Sequence, residues 1–144
     1  MKSTLLLPLV LFAATLAGAA EKSVAGPNGG RLLEATPQKA EFFVTKDRLA
    51  QVTFYDAALK PVAPGNRVVT VTAEPKSGRT PVTLQKTATG YASIAALPAA
   101  GEVYRVVIQI RENPEARPQN FRLDLNLGQC GGCKFAEYAC ACEH

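Results

Sequence analysis

A chain of 144 residues has room for one domain and can bury a hydrophobic core without disulfide or metal staples. Its formal charge is +4, and the 16 basic residues occur singly, with no cluster, no aromatic interleaving and no basic helix, which argues against nucleic acid as a partner.

The first twenty residues read as a secretory signal. Lys2 supplies the positive start, residues 5–16 form an apolar run interrupted at Pro8, and Ala17-Gly18-Ala19-Ala20 is a small-residue cleavage site. A run of about a dozen residues is short of the roughly 20 that a bilayer core requires. The expectation is a periplasmic or secreted protein that meets the membrane only through its cleaved signal, with residue 20 or 21 at the mature start. Losing Lys2 leaves a charge of +3, 15 basic against 12 acidic residues.

Residues 21–30 are small and turn-forming and read as an N-terminal arm. From residue 31 the pattern becomes β. Segments 31–36 and 40–45 are short, apolar and separated by Pro37-Gln38-Lys39, as strands joined by a turn should be. Segment 49–56 alternates, with Ala50, Val52 and Phe54 on one side and Gln51, Thr53 and Tyr55 on the other. Pro61, Pro64, Gly65 and Asn66 break the chain, and segment 67–73 is rich in Val and Thr, branched residues that suit a pleated surface.

Segment 80–86 places Val82 and Leu84 on one face, and 90–97 follows a turn at Thr89-Gly90. The clearest strands are 102–110, with Tyr104, Val106, Ile108 and Ile110 on one face, and 120–127, with Phe121, Leu123, Leu125 and Leu127 on one face. About eight short strands without a long helix predict an all-β protein, an antiparallel β-sandwich of immunoglobulin-like or related type over 31–127, with a small closed barrel as the competing architecture.

Residues 128–144 form a cysteine-rich tail holding all four cysteines and the single histidine. The spacing is C-x2-C-x6-C-x-C-x-H. Between Cys130 and Cys133, two glycines can take positive φ without steric cost and let the backbone aim both sulfurs at one point. Cys140, Cys142 and His144 lie two apart, so an extended backbone sends all three to one face. Four thiolates and an imidazole suffice for a tetrahedral zinc site, and thiolate softness also suits copper(I).

Two disulfides are the alternative, each joining Cys130 or Cys133 to Cys140 or Cys142, because one intervening residue strains a Cys140–Cys142 bridge. A redox-active Cys130–Cys133 pair is a third reading, but the thioredoxin arrangement it would need requires further strands and helices downstream. Phe135 and Tyr138, three apart, read as a pair that packs the tail against the domain.

Catalysis has little to stand on. The only histidine is in the tail, no serine has a nucleophile context, and the carboxylates are dispersed, so the expectation is a protein that is not an enzyme. Gly26-Pro27-Asn28-Gly29-Gly30-Arg31 opens no helix and carries no Lys-Ser/Thr ending, so it reads as a tight turn and not a phosphate loop.

That segment with Leu32-Leu33, followed by Ala40-Glu41-Phe42-Phe43-Val44 and an alternating strand, resembles the N-terminal periplasmic segment of heavy-metal efflux adaptor (membrane fusion) proteins over residues 26–75. Adaptors often carry histidine where Asn28 stands, and this chain lacks their long helical hairpin and barrel domains. The resemblance implies a free-standing metal-associated β module, with a metal-efflux component or other periplasmic protein as partner.

Overall fold

In a computed structural model of the protein, residues 25–99 and 101–142 are described. The signal read at 1–20, the first part of the arm and His144 lie outside them. Ten strands follow in order: β1 (Arg31–Leu33), β2 (Lys39–Val44), β3 (Ala50–Tyr55), β4 (Pro61–Val62), β5 (Val68–Glu74), β6 (Thr80–Val82), β7 (Leu84–Lys86), β8 (Gly90–Ser93), β9 (Tyr104–Arg111) and β10 (Gln119–Leu125). Among the described residues, one 3-10 turn, Glu137–Ala139, follows them.

All pairings are antiparallel, and they build two sheets. One runs β1-β2-β3-β8-β7 with β4 also on β3; the other runs β10-β9-β5-β6. With β2, β3, β8 and β7 as strands A, B, E and D, and β10, β9, β5 and β6 as G, F, C and C′, the orders are those of an immunoglobulin-like sandwich. Tyr104, first residue of β9, donates its hydroxyl to the Pro98 carbonyl oxygen at 3.0 Å, the arrangement of a tyrosine corner at the E–F connection.

The core lies between the sheets. Ala40, Phe42, Val52 and Phe54 enter it from one side, and Val69, Val71, Val106, Ile108, Leu123 and Leu125 from the other. Alternation puts these positions inward; their burial supplies most of the stabilisation, at roughly 25 cal/mol per Å² of apolar surface.

Segments 80–86, 90–97 and 120–127 depart from the sequence reading. Segment 80–86 is two strands: Val82 pairs with Val71 in one sheet, Leu84 pairs with Ser93 in the other, and the chain changes sheets at Thr83. Segment 90–97 ends as a strand at Ser93, whose hydroxyl accepts the Ala50 N–H at 2.9 Å, although Leu97 is still drawn into the core. Segment 120–127 ends at Leu125, and Leu127 is 44% exposed because the chain turns there, Gly128 N–H donating to Asn126 Oδ1 at 2.9 Å.

Tyr55 breaks the period of β3. It belongs to the outward face, yet it is buried, because its hydroxyl donates to Glu41 Oε2 at 2.7 Å. Glu41, from the same outer face, has no exposed surface. The loop before β1 folds over it: Gly30 N–H donates to Oε1 at 2.7 Å, Asn28 N–H reaches both carboxylate oxygens, and Asn28 Nδ2 donates to Oε2 at 3.0 Å. An unpaired carboxylate there would cost several kcal/mol, so this ring of donors is what makes the burial tolerable. Gly30 is required because a Cβ would overlap the Phe42 carbonyl, and Gly29 takes φ 84°. The glycine-rich segment is thus a tight turn, and its sequence is explained by the acid beneath it.

The tail is bound into the core and is not an appendage. Tyr138 is 4% exposed and Ala139 fully buried. The Tyr138 ring meets Phe42 edge-on at 6.2 Å, and its hydroxyl accepts the Val44 N–H at 2.9 Å, beyond the point where β1 stops pairing with β2. Main-chain bonds from Tyr138 N–H to Asn126 O and from Glu137 N–H to Gly128 O fasten the same turn.

Candidate metal centre

After β10 the chain reverses in a small knuckle. Gln129 bridges Ala136, Cys130 N–H donates to Phe135 O at 2.9 Å, and Gln129 Nε2 donates to Cys133 O at 2.8 Å. Cys130 and Cys133 stand at its tip. The 3-10 turn then buries Tyr138, and Cys140 leaves it in an extended conformation, φ −67° and ψ 134°, which returns Cys140 and Cys142 to the knuckle.

The result brings all four sulfurs within 4.8 Å of one another. Cys133 Sγ and Cys140 Sγ are 3.5 Å apart, and Cys142 N–H donates to Cys140 Sγ at 3.3 Å. No disulfide joins the four sulfurs. Cys130 is buried, whereas the other three are partly exposed, so the cluster has one inner and one open side.

The glycines between Cys130 and Cys133 work differently from the expectation. Neither Gly131 nor Gly132 takes a positive φ. Gly131 has open space around its α-carbon; at Gly132 a Cβ would come within 3.3 Å of Cys142 Sγ, so that glycine gives the fourth sulfur clearance. The 3-10 turn covers only Glu137–Ala139, and Phe135 and Tyr138 pack the tail against the domain as expected: Tyr138 enters the core, and Phe135 lies half-buried against it beside Gly29.

Electrostatically the cluster behaves as one unit. The Cys130 thiol is pulled down to about 6, first by its hydrogen bond with Cys140, then by the Gly132 N–H, and further by the thiol and N–H of Cys133. Cys140 is pushed up to about 12, first by holding its proton toward Cys130 and then by burial, and Cys142 is raised first by Cys133. One thiolate is stabilised by neighbours that keep their protons to donate to it. A soft cation bound there would replace those protons, because thiolates and not thiols are the ligands.

The structure therefore brings together Cys130, Cys133, Cys140 and Cys142. Sequence reasoning does not find the buried Asn28–Glu41–Tyr55 group that anchors the loop before β1, because a lone acid inside an alternating strand gives no sign of burial. Tyr138 reads from the sequence only as packing, and its hydrogen bond to Val44 is not foreseen. Among the described residues no helix is long and apolar enough to cross a membrane. No protein family, curated protein or solved structure matches the chain.

Proposed function

We propose that the protein binds one soft metal ion, zinc or copper(I), through Cys130, Cys133, Cys140 and Cys142, and that it sequesters or hands over that ion as an exported, non-enzymatic protein accessory to metal efflux. The observation that carries the metal site is the mutual approach of four sulfurs to within 4.8 Å. Tetrahedral zinc with sulfurs at about 2.3 Å has S···S edges of about 3.8 Å, and sulfurs already within 4.8 Å of one another are near that spacing. A four-sulfur tetrahedron favours zinc among the divalent ions. His144, two residues past Cys142, adds an imidazole that would compete for a coordination position. Three partly exposed thiols support exchange with an incoming ligand. Export rests on the signal-like first twenty residues, and the link to efflux on the resemblance of residues 26–75.

The test is a combined metal and thiol count on natively exported protein purified anaerobically. One zinc or copper per chain with four titratable thiols is the expected result, and a mature start near residue 20 accompanies it. Cobalt(II) should give the d–d bands of a tetrahedral thiolate site. Cys142→Ser should weaken binding by more than the roughly 10–100-fold seen on losing an outer-shell partner. No metal together with four oxidised cysteines overturns the proposal.

One contact favours a second reading. Cys133 Sγ lies 3.5 Å from Cys140 Sγ and all four sulfurs lie within 4.8 Å of one another, so an oxidised tail would be stapled by two disulfides, each joining Cys130 or Cys133 to Cys140 or Cys142. In that case a reductant, and not a chelator, loosens the tail.

A further inference from the structure

The six residues between Cys133 and Cys140 do more than connect ligands. Lys134, Phe135 and Ala136 form one wall of a groove of about 560 Å³, whose other walls are the 27–29 loop and the end of β2 with its following turn. Phe43, Phe135 and Leu127 give it an apolar lining. Lys46, Arg48 and Lys134 supply three cations, and among the described residues no Asp or Glu lines it. Asp47, between two of those cations in sequence, is not part of the lining.

The walls are set by contacts already described. Glu41 holds Asn28 and Gly30 through main-chain N–H groups, so the 27–29 loop is anchored from below. Val44 is held by the Tyr138 hydroxyl. Arg48 is kept at φ 58°, a conformation easier for glycine, while its carbonyl accepts the Leu97 N–H at 2.8 Å. Lys134 Nζ rests 5.5 Å over the Phe135 ring, which parks a cation above the apolar lining. A groove with fixed walls loses little conformational freedom on filling.

We propose that this groove docks an extended acidic segment of a partner protein, an apolar side chain seated between Phe43, Phe135 and Leu127 and flanking carboxylates paired with Lys46, Arg48 and Lys134. Charge complementarity selects the acid, and the apolar lining selects a peptide over a simple anion. Three separated cations fall short of the 4–8 clustered lysines and arginines that read as a lipid-surface site.

The experiment probes a fully randomised hexapeptide library with the full chain, purified under reducing conditions and used both with and without added zinc. Selected peptides should be enriched in Asp and Glu around one apolar position. Their affinity should fall with rising salt and drop roughly tenfold in the Lys46→Gln/Arg48→Gln/Lys134→Gln variant. The single Lys134→Glu variant, at an exposed site, should weaken binding with an unchanged circular-dichroism spectrum. Absence of acidic enrichment overturns the proposal, as does unchanged affinity in the triple variant. Binding of phosphatidylglycerol vesicles or of succinate as tight as that of the best peptide also overturns it. Metal binding stands apart: a chain that takes up zinc but selects no acidic peptide refutes the groove alone.

Discussion

Tyr138 is the residue on which the site and the core meet. Its ring packs against Phe42, and its hydroxyl is the acceptor for a Val44 N–H that lies past the end of β1. Tyr138→Phe keeps the ring and orphans that buried donor, which should cost about 1–3 kcal/mol. Tyr138→Ala also opens a cavity and should cost about 3–5 kcal/mol, as for other aromatic deletions. Urea unfolding of the two variants checks the order; equal losses would mean that the ring contributes nothing beyond its hydroxyl. Deleting residues 128–144, which the strand pattern alone makes look harmless, carries at least the Tyr138→Ala penalty. At this scale the cysteine cluster was legible, because four cysteines at C-x2-C-x6-C-x-C spacing in one short tail are readily brought together. Glu41 was not: its burial depends on a loop that precedes it by a dozen positions and on a hydroxyl from the next strand, and no local pattern encodes either.

The strands read most reliably where one face is fully buried, as in β9 and β10, since a one-residue slip there would turn the whole apolar set outward. Legibility fails where the chain leaves a sheet without leaving the extended conformation. Val82 and Leu84 keep the period of a single strand although Thr83 carries the chain from one sheet to the other, because both sides of the crossing still turn an apolar residue inward. Pro61 reads as part of a chain break, yet it and Val62 pair with Tyr55 and Phe54 and extend β3's edge beyond β8. That edge is shared by two short strands, and at Gly90 the β8 backbone lies close against β3. An added Cβ would overlap the Val52 carbonyl oxygen, so Gly90→Ala should force β8 away from β3 and cost about 1–3 kcal/mol or more. Hydrogen exchange should then show faster exchange along β8 while β9 and β10 stay protected; uniform loosening would locate the damage elsewhere.

For the molecule as a whole, all four tyrosines hold their protons more tightly than usual. Tyr55, Tyr91, Tyr104 and Tyr138 are each raised above the ordinary value of 10.0, in every case first by burial, and Tyr55 also by its hydrogen bond to Glu41. Below about pH 10 both folded and unfolded chains keep these protons and stability is unaffected. Above it the unfolded chain ionises first and binds fewer protons than the folded one, so stability falls as pH rises through the folded values. Spectrophotometric titration should show no tyrosinate at the usual midpoint and a steep rise that coincides with loss of the β circular-dichroism signal. A normal midpoint in a folded protein would contradict the burial of these hydroxyls.

The docking of Tyr138 between the two ligand pairs has a consequence for chain entropy. An unfolded tail that captures an ion must draw Cys133 and Cys140 together and lose the freedom of the six residues between them, a closure cost that grows with the logarithm of loop length. In the folded protein that ring is already shut, because the hydrophobic core holds its midpoint. Closure is charged once, to folding, and an ion bound there would meet a ring whose disorder was lost before it arrived.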